Sequence, residues 1–211
     1  VRRPWRSVSV RWRDNIQELA AGRNRRELGL LASRQGRNAA LARAVLDGLS
    51  GILPVGEPAW REGLRRVSLP GRFQVLSRSD RTLIMDGAHN PEAMAALSRT
   101  LGESPWDCRD LRWILGVMKD KDCAAIIDRA AMRLKDVVAV AAPSPRALPA
   151  DELARVIRRR VPSASVRTAP DAASALRAWL RDHGAPKTAV VCGSFYLAAP
   201  ATRTWSAGIN A

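Results

Sequence analysis

Cysteine, histidine, lysine and aromatic side chains are all scarce in this 211-residue chain, and each shortage removes a class of protein. The three cysteines, Cys108, Cys123 and Cys192, are odd in number, far apart and form no Cys-x-x-Cys pair. Neither a disulfide framework nor a thiolate zinc site follows from them. They read as small buried residues of a reducing cytoplasm. No apolar run reaches the roughly 18 residues of a membrane-spanning helix, and there is no signal-peptide core. No Gly-x-Gly-x-x-Gly follows a strand pattern, which counts against dinucleotide binding. No Gly-Lys dipeptide occurs either, so a phosphate-cradling P-loop of the Walker type is missing from these residues.

What is present fits a globular chain with one good core and a smaller second unit, since 46% of the residues are hydrophobic. The net charge is +15, and Lys119, Lys121, Lys135 and Lys187 are the only lysines among 35 basic residues. Two readings of that arginine excess stay open. It is either a field that attracts nucleic acid or acidic small molecules, or a compositional background spread along the whole chain. The chain opens on Val1, followed by a basic stretch and the alternation Val8, Val10, Trp12 of a strand. It reads as part of a longer polypeptide.

One stretch organises the rest: Leu83-Ile84-Met85-Asp86-Gly87-Ala88-His89-Asn90-Pro91. An apolar strand ends on a carboxylate, and two small residues allow a tight turn. Asn90 then suits an N-cap, and Pro91 suits the first helical position, where its missing N–H costs nothing. Open α/β sheets bind ligands at such strand-to-helix turns, beside a helix start that favours anions.

Taken in order, a strand over 8–12 and a polar connection precede a helical pattern from Glu27 to about Leu49, with Leu28, Leu31, Ala39, Leu41, Ala42, Val45, Leu46 and Leu49 as its apolar positions. A short helix over 59–66 follows, and Leu69-Pro70-Gly71-Arg72 marks a domain boundary. Strands over 73–76 and 82–85 form a hairpin-like pair about Arg78-Ser79-Asp80. Helices over 92–101, 123–134, 149–160 and 171–181 then alternate with strands over 111–117, 137–141, 165–167 and 188–192. That alternation implies a mostly parallel sheet covered by helices on both faces, an α/β fold. Asp86, His89, the run Lys119-Asp120-Lys121-Asp122 and Gly193-Ser194 all fall at carboxyl ends of strands, which share one edge of such a sheet.

Each signal also has a plainer reading. A lone histidine is more often hydrogen-bonded scaffolding than chemistry, and Asp86 could simply cap its own turn. The Lys119–Asp122 run could be a solvated loop, Arg72 a surface residue of a turn, and Asn38 an ordinary polar group at a helix start.

Five ordered motifs change that balance. Arg34-Gln35-Gly36-Arg37-Asn38-Ala39-Ala40, Leu69-Pro70-Gly71-Arg72-Phe73, Asp86-Gly87-Ala88-His89-Asn90-Pro91, Gly116-Val117-Met118-Lys119-Asp120-Lys121-Asp122 and Gly193-Ser194-Phe195-Tyr196-Leu197 occur in this sequence. Together they resemble the C-terminal part of folylpolyglutamate synthase/dihydrofolate synthase, a branch of the Mur ligase superfamily. The departure is Arg34, where the family usually has His.

The resemblance implies a Rossmann-like C-terminal domain over 69–211, preceded over 1–68 by a short remnant of the central ATPase domain. It implies ATP-dependent joining of L-glutamate to dihydropteroate or folate through an acyl phosphate. By resemblance, Asn38, Arg72 and Asp86 contact ATP, His89 and Ser194 hold glutamate, and Asp86 and His89 serve the chemistry. ATP and magnesium are the implied cofactors. The P-loop and metal ligands are expected in an N-terminal half, in cis or in trans, so this part alone is expected to be inactive. A cytoplasmic location and no membrane partner go with that reading. The rival readings are a basic module that binds nucleic acid without catalysis, and a Mur-type ligase with another acceptor.

Overall fold

Three antiparallel strands come first, β1 (Val8–Arg13), β2 (Ile16–Ala21) and β3 (Asn24–Leu28), in the order β1-β2-β3. The computed structural model describes residues 8–13, 16–21, 24–106 and 110–208; Cys108 lies outside them. The expected helix from Glu27 is thus corrected. Glu27 pairs with Glu18 and Leu28 with Gln17 across β2 and β3. The backbone N–H of Ala32 donates to the buried side-chain oxygen of Gln17 at 2.8 Å, and Ala32 has a φ of 108°. The chain is therefore held out of helical geometry until α1 begins (Ser33–Gly48). A strand pair so rich in arginine and glutamate lacks apolar alternation and is set by pairing between segments, which local periodicity cannot reveal.

Helix α2 (Glu57–Arg66) closes a small core with Leu28, Ala39, Trp60 and Leu64. Arg26 Nε donates to Glu57 at 2.8 Å across it. Ala39 and Ala40 of α1 face inward, but Leu41 (66% exposed), Val45 and Leu49 face solvent, together with Ile52 (86%) and Leu53.

The main sheet has six strands: β4 (Gln74–Arg78), β5 (Arg81–Met85), β6 (Leu111–Leu115), β7 (Asp136–Val140), β8 (Ser165–Ala169) and β9 (Thr188–Cys192). Their order is β4-β5-β9-β6-β7-β8, with β4 antiparallel and the others parallel. The hairpin turns at Ser79, whose φ is 51°.

Both faces are covered. Helices α3 (Pro91–Glu103), α4 (Cys123–Ala130) and α5 (Ala150–Arg160) pack Met94, Leu97, Ile126, Ile127, Leu153 and Ile157 against Trp113, Leu115, Val137 and Val190. Helices α6 (Ala172–Arg181) and α7 (Ala198–Ala207) pack Leu176, Trp179, Ala201 and Trp205 against Ile114, Val138, Val140 and Val191. Alternate residues of one strand thus feed opposite cores, as a doubly covered strand requires.

The starts of three helices follow their sequence. Asn90, Asp122 and Asp171 each accept the N–H three residues on, from Ala93, Ala125 and Ser174, at 2.8, 2.9 and 2.7 Å. Helix α7 has no counterpart in the sequence reading. Its evident signal is the four-residue spacing of Ala201 and Trp205, and Trp205 stacks on Trp179 at 6.3 Å between ring centroids. Among the described residues, no helix is long and apolar enough to cross a membrane.

Candidate active site

Strand order decides where the polar signals meet. The last strand, β9, inserts between β5 and β6, so the segments leaving those three strands are immediate neighbours. The ladder runs on past the strands: Asp86 N donates to Val191 O at 3.0 Å, and Gly116 N to Cys192 O at 3.2 Å. Asp86, Gly116 and Gly193-Ser194 therefore lie side by side at the switch point, where an open sheet leaves a crevice. The approach is tight: Gly193 has a φ of 97°, and a Cβ on it would stand 2.4 Å from Gly116 O. Only glycine meets both demands.

The turn containing Gly71 and Arg72 closes over the same edge. Gly87 N donates to Gly71 O at 2.7 Å, and Phe73 N to Asp86 Oδ2 at 2.9 Å. Phe73 holds a φ of 46°, an uncommon value for an aromatic residue, and is fully buried. Asp86 is 6% exposed, and its Oδ1 is buried without a hydrogen-bond partner. Burial pushes its carboxyl above its ordinary pKa. The Phe73 N–H, the Arg34 charge, the Ala88 N–H and the Arg72 charge pull the other way without cancelling that effect. One carboxylate oxygen is thus anchored by Phe73, and the other has no hydrogen-bond partner among the described contacts.

His89 sits beyond it, half-buried, with Nδ1 2.7 Å from Gly87 O. Nδ1 is thereby engaged, and Nε2 has no hydrogen-bond partner among the described contacts. Between His89 and Arg72 stands Phe195. Its centroid is 4.5 Å from Arg72 Cζ and 5.9 Å from the His89 ring. Ser194 is buried, and its Oγ accepts from Tyr196 N at 3.3 Å, starting a short 3₁₀ turn at Phe195–Leu197.

Arg72, Asp86 and His89 are thus brought together, and Ser194 adjoins them through Phe195. Asn38 is not joined to them among the described contacts; the amide of this exposed residue donates to Oε1 of the buried Gln35 at 2.9 Å in the first turns of α1. Lys119 and Asp120 stay exposed, with Lys119 N donating to Arg146 O at 2.8 Å. Phe73 and Phe195 stand in two of the quoted motifs, but the sequence assigned neither a role at this edge. Arg34 was visible only as a departure from the expected histidine, and its charge falls on Asp86. Cys192, beside Asp86, is fully buried, and burial pushes its thiol up; Cys123 is pushed up to about 11. Neither is an activated nucleophile.

Residues 71–195 match the Mur ligase, glutamate ligase domain. The chain belongs to that family. Among its relatives, the dihydrofolate synthase/folylpolyglutamate synthase of Escherichia coli is 37% identical over 162 residues, which are 77% of this chain and 36% of the relative. A solved folylpolyglutamate synthase of Mycobacterium tuberculosis, complexed with ADP, superposes with a TM-score of 0.74 at 30% identity, over 95% of this chain and 46% of the other. A bifunctional folylpolyglutamate synthase/dihydrofolate synthase of Yersinia pestis, complexed with AMPPNP and a Mn ion, gives 0.70 at 28% identity, over 90% and 44%. The chain thus spans about a third of the E. coli relative and less than half of the solved chains. Its six-stranded, mostly parallel α/β sheet is the glutamate ligase domain of this family.

Proposed function

We propose that this Mur ligase chain supplies the amino-acid-accepting side of an ATP-dependent carboxylate–amine ligase of the folylpolyglutamate/dihydrofolate synthase type. In that reaction a pterin- or folate-linked carboxylate oxygen attacks the terminal phosphorus of ATP and ADP leaves. The glutamate amine then attacks the acyl carbon, the carbon–oxygen bond to phosphate breaks, and the nitrogen gives up a proton. Three anions must be held close together, which calls for preorganised positive groups and N–H dipoles.

Arg72 suits the nucleotide phosphates, since its guanidinium can bond two oxygens at once. Asp86 Oδ1 suits a donor of the nucleotide, and Asn38 would approach it from α1. His89 and Ser194 would hold glutamate, with Asp86 between the two tasks. The observation that carries this reading is the buried Oδ1 of Asp86 at the switch point, without a hydrogen-bond partner, with the Arg72 charge acting on its carboxyl and His89 held to the next residue, Gly87.

Among the described residues, no three His, Cys, Asp or Glu side chains gather as a metal site would need. No metal-dependent step is assigned to this chain's residues. The phosphate-cradling loop and the ligands for magnesium would come from a partner segment. The apolar row Leu41, Val45, Leu49, Ile52 and Leu53 supports that need, because it lacks cover among the described residues. The nucleic-acid reading loses ground, since arginines such as Arg26, Arg112 and Arg160 are committed to Glu57, Asp136 and Asp128.

The test is calorimetric titration of the purified chain with ADP, and a product assay with ATP, dihydropteroate and glutamate. Binding should weaken at least tenfold in Arg72→Ala, and product should form only when a P-loop-bearing half is added. Unchanged ADP binding in that variant sinks the nucleotide assignment. Product from the chain alone sinks the division of labour.

A further inference from the structure

Phe195 is one of only two phenylalanines, yet it is 37% exposed and set among polar groups. Core burial does not account for it. The ring is fastened on three sides. The Arg72 guanidinium lies over it, with Cζ 4.5 Å from the centroid. The His89 ring meets it at 5.9 Å with an interplanar angle of 54°. Beneath it lies the Gly87 backbone, so close that a Cβ there would stand 2.3 Å from the ring. The backbone that carries the ring is held as well. Ser194 Oγ receives the N–H of Tyr196, and the next residue, Leu197, is wholly buried.

We propose that Phe195 is a positioning residue that couples the anion site at Arg72 to the amino-acid site at His89. The inference rests on the roles given to those two residues above. A guanidinium over an aromatic face is bound by its charge. An anion arriving at Arg72 draws on that same charge and shifts the guanidinium relative to the ring. The ring cannot withdraw onto Gly87, because there is no space there. The His89 imidazole packs against another side of the ring, so a ring displaced by occupancy of Arg72 presses on the imidazole and changes its position. Nucleotide then sets the geometry that glutamate meets, and by linkage glutamate acts equally on nucleotide.

The chain has two histidines, so an imidazole nitrogen NMR spectrum reports on this path without any need for turnover. His183 is exposed, and His183→Gln assigns the remaining signal to His89. ADP added to the wild-type chain should move the His89 resonances and raise glutamate affinity about fivefold, the lower end of ordinary coupling. Phe195→Leu should keep ADP affinity within about threefold while losing more than half of the His89 shift and all of the glutamate gain. Phe195→Tyr, which keeps the ring, should behave as wild type and shows that the turn still folds. An undiminished His89 shift in Phe195→Leu with ADP bound overturns the coupling alone. Absent ADP binding, or binding indifferent to Arg72→Ala, overturns the nucleotide assignment and the coupling together.

Discussion

The backbone N–H of Phe73 donates to Asp86 Oδ2 at 2.9 Å, and this bond joins the two sides of the site. Gln74 pairs with Met85 at the end of the β4–β5 ladder, so Phe73 and Asp86 stand opposite one another just beyond it. The side chain of Asp86 takes the place that a further ladder carbonyl would occupy. Phe73 keeps its φ of 46° to deliver the bond, a backbone strain of about 1–3 kcal/mol that the surrounding core must hold. The result is one anchored carboxylate oxygen and one bare one.

That arrangement gives Asp86 a stability signature. Burial raises its folded pKa above the unfolded value, so the folded state binds the proton more tightly. Stability is then lost as pH rises from the ordinary carboxylate range through the folded pKa, and the cost is complete above it. Asp86→Asn keeps an acceptor for Phe73 and cannot ionise. It should melt above wild type at pH 8, with the gap closing as pH falls to about 3. ADP affinity should fall in the same variant. Thermal melts across the pH range check the sign.

Gly87→Ala drives a methyl group into the Phe195 ring, since the built Cβ stands 2.3 Å from it. A loss of about 1–3 kcal/mol is expected from overpacking. Phe195→Leu made together with it should recover much of that loss, because the clash needs both groups. Denaturant unfolding of the four proteins in this cycle measures the interaction. Additive costs would mean that the ring and the turn do not touch in solution.

Arg112 separates scaffold from site. It is 6% exposed, and Nε donates to Asp136 Oδ2 at 2.8 Å at the amino ends of β6 and β7, away from Asp86. Arg112→Ala removes one partner of Asp136, whose other oxygen keeps Arg167 Nη2 at 2.7 Å, and empties a buried position, so it should cost about 0.5–3 kcal/mol. ADP affinity of the folded fraction should stay within about twofold. Arg72→Ala should do the reverse, with a melting temperature within about 2 °C of wild type and weakened ADP binding.

The uncovered face of α1 is open to a direct measurement. Leu41→Gln with Val45→Gln changes side chains that are 66% and 53% exposed. The pair should alter unfolding free energy by less than about 0.5 kcal/mol, as surface changes do. It should also lower self-association at high concentration, read by light scattering. A large loss of stability would show that this face is packed in solution.

Much of the fold was legible in the residues themselves. Asn90, Asp122 and Asp171 start their helices as their side chains dictate, because a cap is a bond spanning only three residues. The strand residues 83–85, 111–115, 137–140 and 188–192 are nearly pure apolar runs, and all are buried. Strands β2 and β3 were not legible, because their polar residues are recruited by pairing rather than by periodicity. Nor was α7, whose apolar stripe is little more than Ala201 and Trp205.

By itself, then, the sequence determined a helix-covered sheet, its caps, and the order of the Arg72, Asp86-to-His89 and Ser194 motifs along the chain. Only the tertiary structure decided that β9 returns between β5 and β6, because strand order depends on which faces and edges remain to be covered after the earlier units pack. That insertion sets Gly193-Ser194 against Asp86 and lays Phe195 across Gly87, between Arg72 and His89. Contacts among residues so distant in sequence leave no local pattern. For that reason the motifs could be read one by one, while the ring that joins them could not.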